Sequence, residues 1–203
     1  LSLRNHLRWA AYDKSYQNVF PGAVDAAAQT VAISAYNQAT QRRNLFNQTD
    51  LVRQASTGAI RHTVLAGAEF GRQVTDNMRM TGYFGVPGST TTSVRVPLSS
   101  PTTDVVPLFR QSATDADNHG VATVAAVYLQ DQIEFTPHLQ AIIGLRHDEF
   151  RVDLRNNRTG ATLRSDDGLL SPRAGLVYKP LDAMSFYASY SMAYQPRAGE
   201  QLA

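Results

Sequence analysis

The sequence contains no cysteine, which excludes disulfide scaffolds, thiolate metal sites and cysteine nucleophiles. It is also poor in charge. Asp, Glu, Lys and Arg make up 18% of its 203 residues, against about 25% in an ordinary globular chain. Even so, no stretch approaches the roughly 18 uninterrupted apolar residues of a membrane helix, so a helical membrane protein is excluded. Lysine is nearly missing. Of 19 basic side chains only Lys14 and Lys179 are lysines, and the other 17 are arginines. The net charge is +2, but the basic residues form no run and no recognition motif, which argues against nucleic acid as a partner. Missing too are G-x-S-x-G, the P-loop, G-x-G-x-x-G and H-E-x-x-H, so the chain does not read as an enzyme. His147 and Glu149 share a strand face, but two neighbouring ligands without a third do not make a metal site.

The apolar content, 43%, is ordinary but nowhere concentrated, because it alternates. From Val121 to Phe135 one face carries Val121, Thr123, Ala125, Val127, Leu129, Asp131, Ile133 and Phe135, mostly apolar, and the other ends in Tyr128, Gln130, Gln132 and Glu134. Ile60, Val64, Ala66, Ala68 and Phe70 likewise oppose Arg61, Thr63, Gly67, Glu69 and Gly71. Met184, Phe186, Ala188, Tyr190, Met192 and Tyr194 oppose Ser185, Tyr187, Ser189, Ser191 and Ala193. A period of two means strands. It predicts seven, near 2–14, 28–38 running on irregularly to 54, 59–76, 121–135, 139–154, 169–179 and 184–195.

Many of these exceed the usual five or six residues and fit the roughly 9–11 that a tilted strand needs to cross a bilayer. Their connections alternate. Short turns fall at Ser56-Thr57-Gly58, Thr136-Pro137-His138 and Pro180-Leu181-Asp182-Ala183, and long loops near 15–27, 77–120 and 155–168. Such alternation is that of a transmembrane barrel with short periplasmic turns and long extracellular loops. Because hydrocarbon tolerates no unpaired backbone polar group, the expected fold is all-β: an antiparallel transmembrane β-barrel fragment whose seven strands form an open, curved sheet. Bacterial single-chain barrels have an even strand number. Residues 1–203, starting at Leu1 without Met and closing after Gly199 without a terminating element, are therefore expected to be one partial barrel domain. The alternatives are a soluble all-β binding domain, whose apolar faces would pack into a core, and a general outer-membrane porin.

Several segments carry a resemblance. Tyr128-Leu129-Gln130-Asp131-Gln132, Gly144-Leu145-Arg146-His147-Asp148, Leu170-Ser171-Pro172-Arg173-Ala174-Gly175-Leu176-Val177-Tyr178-Lys179-Pro180 and Tyr187-Ala188-Ser189-Tyr190-Ser191 resemble, in order and spacing, the barrel of TonB-dependent siderophore receptors. Upstream, Asn44-Leu45-Phe46-Asn47-Gln48-Thr49-Asp50-Leu51 and His62-Thr63-Val64-Leu65-Ala66-Gly67-Ala68-Glu69-Phe70 resemble the catecholate-type branch. His147 departs from a position where the family often has an aromatic. The resemblance implies a bacterial outer-membrane barrel of about 22 strands with a plugged lumen, of which this chain supplies wall and loops. The plug and the box that grips TonB would lie before Leu1, and the last strands after Ala203. It implies as partners a ferric siderophore, the TonB complex through that upstream region, and outer-membrane lipid. No resident cofactor or metal is implied, since iron arrives as a chelate.

With the apolar face toward lipid, the lumen carries Arg4, His6, Arg8 and Tyr12, then Arg61 and Glu69, Arg146 and Asp148, and Arg173. Arginines favour anionic ligands through charge-assisted bidentate hydrogen bonds. Arg61 and Arg173, near short turns, suit structural ion pairs. Arg8, Tyr12 and Arg151, near the long loops, are the candidate ligand residues on strands. In the 77–120 loop, Tyr83, Phe84, Arg95, Phe109 and Arg110 combine aromatic faces with guanidinium groups that suit an aromatic, anionic chelate. Trp9, Tyr178, Phe186 and Tyr194 read as interfacial girdle residues.

Overall fold

Alternation gives a helix no apolar stripe but lets a strand sort its side chains onto two faces, and every regular element among the described residues is a strand. The structure, a computed structural model, describes residues 1–181 and 183–195. Asp182 of the expected last turn and the closing segment from Gly199 lie outside them. The strands are β1 (Ser2–Asp25), β2 (Thr30–Thr57), β3 (Ile60–Tyr83), β4 (Ser93–Pro97), β5 (Leu108–Arg110), β6 (Asp117–Thr136), β7 (Leu139–Asn156), β8 (Thr162–Leu181) and β9 (Met184–Ser191). All pairs are antiparallel, in the order β1-β2-β3-β6-β7-β8-β9, with β4 on β2 and β5 on β3. The seven expected strands are the seven long ones, in sequence order.

Their lengths differ from expectation at one end only. β1 has 24 residues, roughly 80 Å at about 3.3 Å per residue, where a bilayer core is about 30 Å thick. Residues 15–27 and 155–168 are therefore not long loops. β1 and β2 continue to a four-residue turn at 26–29, and β7 and β8 to a five-residue turn at 157–161. Apolar contrast fades there because both faces meet water, while the ladder is carried on by contacts between strands such as Tyr16 Oη to Gln38 Oε1 at 3.2 Å. Within 77–120, β3 runs on to Tyr83 and β6 starts at Asp117. Between them β4 pairs with β2 at Thr30–Ser34, above its pairing with β3, and β5 pairs with the end of β3. Both short strands cover edges that would otherwise be open to another chain.

The two faces have different curvature. On the polar face, side chains reach over a whole intervening strand. Tyr128 of β6 meets Gln48 at 3.0 Å and Asp50, both on β2, while Arg146 of β7 meets Glu69 of β3 at 3.1 Å. On the apolar face, side-chain hydrogen bonds between strands join adjacent strands only, as in Asn5–Asn47, His62–Asp131, His119–Asp76 and Arg151–Asp166. Side chains converge on the inside of a curl, so the polar face is concave. Burial agrees: along β7 the odd positions from Ile143 to Arg155 are exposed and the even ones half-buried or buried.

The convex face carries an apolar band that water would not tolerate. Leu7 is 67% exposed, Trp9 70% and Leu129 56%. The soluble alternative requires this face to pack inward, and it does not. The band also crosses the hydrogen-bonded rows obliquely. The row through Trp9 and Leu45, where the band ends on β1 and β2, meets Arg72 on β3 and Arg151 on β7. On β7 the apolar run stops at Leu145, three outward positions lower. A level membrane cutting across tilted strands produces this offset. Within the band, Asn5 pairs with Asn47 at 3.2 Å and Thr49 at 2.7 Å, so these amides satisfy each other.

The concave side is filled by laying large side chains over glycines on the neighbouring strand. Phe46 lies over its register partner Gly71, and Tyr128 over Gly67. A β-carbon on Gly71 would meet the Phe46 ring on one side and Val124 on the other. Gly71→Val in the full-length protein is expected to cost about 1–3 kcal/mol through overpacking, read as a lowered urea midpoint with an unchanged slope; a midpoint equal to wild type would show that Phe46 has room to move.

Candidate ligand-facing surface of the concave wall

Low on the concave face Arg61 and Arg146 are held by carboxylates, whereas Arg4 and Arg173 make no ion pair among the described residues, against the expectation for Arg173. At the bottom Arg61 bonds Glu134. At mid-height Arg146 is clamped by Asp148 at 2.7 Å and Glu69 at 3.1 Å, and lies over the Tyr128 ring at 5.5 Å. The registers Asp50 to Gly67 to Tyr128 to Arg146, and Gln48 to Glu69 to Ala126 to Asp148, bring this network together from four strands. Small residues at Gly67 and Ala126 leave room for the long side chains that bridge them. These groups brace the wall and leave no free charge for a ligand.

Higher up, two arginines have hydroxyl groups as partners. The Arg8 guanidinium has Tyr12 Oη at 3.4 Å as its hydrogen-bond partner and Arg42 has Thr75 Oγ1 at 3.1 Å; neither meets a carboxylate among the described residues. Above them Tyr16 and Tyr36 meet edge to face at 5.8 Å, Phe20 meets Tyr36 at the same distance, and the Arg79 guanidinium, 3.8 Å from the Asp115 carboxylate, sits 4.1 Å from the Tyr36 ring centre. Gln38 and Thr40 share Asn77 Oδ1 at 2.8 and 3.1 Å, which holds β2 and β3 in register beneath the rings. Three aromatic faces, guanidinium groups and amides on one concave surface provide stacking, cation–π attraction and charge-assisted hydrogen bonds together.

The structure divides the residues singled out in the sequence. Arg8 and Tyr12 share the concave face, side by side. Tyr83 and Arg110 come together, with the guanidinium 3.9 Å from the ring centre and also bonded to the Ser89 carbonyl. Arg95 alternates onto the face of Ala32, its register partner, and bonds Thr30 Oγ1 at 3.3 Å near Asp25. Phe84 is only 4% exposed, and Phe109, opposite Gly82, falls on the other face from Arg110. Arg151 is placed on the convex face, bonded to Asp166, one step out of phase with Arg146 and Asp148. Tyr16, Phe20, Tyr36, Arg42 and Arg79 were not singled out by the sequence pattern. The signal for the first two was the continued alternation Tyr12, Lys14, Tyr16, Asn18, Phe20 through a segment read as a loop. Among the described residues no cluster of three or more His, Asp or Glu side chains is arranged to hold a metal ion.

The loop beside this surface is tied down. From the β7–β8 turn, Arg158 donates to the carbonyls of Ser112 at 2.5 Å and Asp115 at 2.7 Å, and to that of Ala113. Asn157 bonds Asp117 at 2.9 Å. Asp115, 7% exposed, accepts from Thr81 N, Thr81 Oγ1 and Ser112 N at 2.7–2.9 Å. Burial works against its charge, but the Ser112 and Thr81 donors outweigh burial and hold its carboxyl below the usual aspartate range.

The oblique apolar band, the polar concave face and the unequal ends define part of an outer-membrane β-barrel of the kind found in bacteria. The family described as TonB dependent receptor-like, beta-barrel, matches residues 1–203, and the chain belongs to it. It is 27% identical over 210 residues to the probable TonB-dependent siderophore receptor PiuA of Acinetobacter baumannii, covering 95% of this chain and 27% of that protein. It is 29% identical over 160 residues to the ferrichrome outer membrane transporter/phage receptor of Escherichia coli K12, covering 76% and 20%. The chain thus spans about a quarter of the length of such curated relatives. The crystal structure of PiuA superposes with a TM-score of 0.79 at 22% identity, over 93% of this chain and 29% of that one. The closed form of the ferric-catecholate import receptor Fiu of E. coli K12 superposes with 0.74 at 20% identity, over 99% and 31%. These likenesses show the fold.

Two expectations follow. Arg146→Ala leaves Glu69 and Asp148 facing each other uncompensated and should cost the full-length receptor about 1–3 kcal/mol, since the site is partly open to solvent. Urea unfolding with and without Glu69→Gln checks this, and the second substitution should restore part of the loss. For Asp115, a folded carboxyl that titrates below its unfolded value stabilises the loop at all pH above roughly 4 and stops doing so as pH falls through the folded value. Hydrogen exchange at residues 111–117 should therefore accelerate on acidification in wild type, and already be fast at neutral pH in Asp115→Asn.

Proposed function

We propose that this chain is wall and extracellular hairpins of an outer-membrane receptor that takes up ferric siderophores, energised by TonB acting through a plug that the rest of the protein supplies. The observation that carries the reading is the cluster high on the concave face, where Arg8 and Arg42 meet hydroxyl groups and Arg79, 3.8 Å from Asp115, lies against Tyr36, with Tyr12, Tyr16 and Phe20 beside them. An anionic, aromatic chelate matches both halves of that surface. The curated relatives support it, being by name a siderophore receptor, a ferrichrome transporter and, at 23% identity, the catecholate siderophore receptor Fiu. A ferric catecholate is the ligand class we favour, because its rings stack and its negative charge needs guanidinium groups. Tyr83 with Arg110 and, lower, Arg8 with Tyr12 would extend the contact. Arg151, on the convex face, takes no part.

The experiment is growth of iron-starved cells carrying the full-length receptor as their sole siderophore receptor, supplied with a panel of catecholate, hydroxamate and carboxylate chelates. Growth on catecholates is expected, and growth on none would remove the iron assignment. Tyr36→Ala with Arg79→Gln should raise the ligand Kd about 10-fold or more, with surface abundance unchanged.

A further inference from the structure

Of Arg8, Arg42 and Arg79, only the last has a carboxylate beside it, and the contact is one-sided. Arg79 Nε lies 3.8 Å from Asp115 Oδ1, the guanidinium carbon lies 4.1 Å from the Tyr36 ring centre, and the group has no other hydrogen-bond or ion-pair partner among the described residues. The Nε edge is thus turned to Asp115, and the two terminal nitrogens are left for a ligand.

Asp115 sits on a segment that belongs to no strand. β3 pairs with β6 as far as Met78, opposite Asp117, and with β5 from Thr81, opposite Arg110. The segment between β5 and β6 closes that gap: Arg79 N donates to Ala116 O at 2.8 Å, and Thr81 N to Asp115 Oδ2 at 2.9 Å. Thr81 Oγ1 and Ser112 N also donate to Asp115, so its charge is stabilised without Arg79.

What holds the segment comes from the far side of β6. Arg158, in the β7–β8 turn, makes no ion pair among the described residues and instead donates to three carbonyls, those of Ser112 at 2.5 Å, Asp115 at 2.7 Å and Ala113. Its own place is set by Asn156 Oδ1, which accepts from Arg158 N at 3.0 Å and Thr159 N at 3.1 Å, and by Gly160, whose φ of 73° closes the turn. A chain of contacts therefore runs from this hairpin tip through Asp115 to the Arg79–Tyr36 pair.

We propose that Arg158 is a positioning residue of the ligand surface: through the turn at 112–116 it fixes the Asp115 carboxylate, which holds Arg79 edge-on so that its terminal nitrogens face an anionic ligand while its plane stays on the Tyr36 ring. A long side chain held in its bound orientation loses less freedom when the ligand arrives, and a guanidinium presents two parallel donors only when its plane is fixed. Asp115 also repels an anion from the Nε edge, which directs the ligand's oxygens to the other one. The ligand half of this inference rests on the uptake reading, and the positioning half does not.

The test combines hydrogen exchange at Arg79 and Thr81 of the full-length protein with the Kd for the ferric complex of 2,3-dihydroxybenzoate. In Arg158→Gln both amides are expected to exchange about 10-fold faster or more, and Kd to rise about 3–10-fold. Arg158→Lys, which can still donate to the carbonyls, should recover part of both. Because Arg158 acts through Arg79, adding Arg158→Gln to Arg79→Gln should leave Kd where Arg79→Gln alone puts it. The convex-face control Arg151→Gln should change neither quantity. Heat-modifiable migration confirms folding of each variant, and Arg158→Lys carries the comparison if Arg158→Gln does not fold. Unchanged exchange at Arg79 and Thr81 in Arg158→Gln overturns the positioning. Faster exchange with an unaltered Kd reduces Arg158 to a structural tie and overturns the proposal too. A further loss of affinity in the double variant would mean that the turn at 112–116 touches the ligand itself, which also overturns it. If wild type does not bind the catecholate complex, the ligand class of the uptake reading fails, and the exchange rates alone decide whether Arg158 positions Arg79.

Discussion

In hydrocarbon an amide left without a partner costs several kcal/mol, and the need to pair every one organises this chain. It forces consecutive strands into unbroken antiparallel ladders, and the ladders assign each residue a side. From Leu3 opposite Leu51 to Leu129 opposite Leu145, one hydrogen-bonded row crosses five strands with an apolar side chain at every station. One position along, Arg4, Asp50, Gly67, Tyr128 and Arg146 form the corresponding row of the concave face. The ladder outlasts its cause: β1 and β2 stay paired far beyond any bilayer, and β4 and β5 add themselves where the main pairing of β2 and β3 runs out.

Curvature then separates the chemistry of the two faces. On the inside, side chains from strands two apart reach one another across Gly67 and Ala126, so carboxylates can neutralise Arg146 from two directions. On the outside, groups meet only neighbours, and Arg43, though diagonal to Asp13 and Asp76, and Arg72 make no ion pair among the described residues. The same residue type is therefore a brace where carboxylates reach it from two strands and an exposed cation where none does. Its height and side decide which.

Much of this was legible in the residues themselves. Period-two alternation identified all seven main strands and the lumenal set Arg4, His6, Arg8, Arg61, Glu69, Arg146 and Asp148, because parity alone sorts a strand into faces. Ser56-Thr57-Gly58 and Thr136-Pro137-His138 marked the short end through turn chemistry. The pattern weakened where water bathes both faces. Tyr16 and Phe20 were hidden in a supposed loop, and Arg151 was grouped with Arg8 by nearness to a loop although its parity opposes Arg146.

The sequence by itself determined the strands, their faces and the contrast between lipid and lumen, since alternation is a local property of an extended backbone. Only the tertiary structure decided which residues meet. Register set Tyr128 over Gly67, and Arg79 diagonally across from Tyr36. Curl let Arg146 reach Glu69 across β6. Strand tilt placed Arg72 above the apolar band on β3 while Leu145 ends it lower on β7. Each depends on offsets between strands far apart in the chain, and no single strand carries that information.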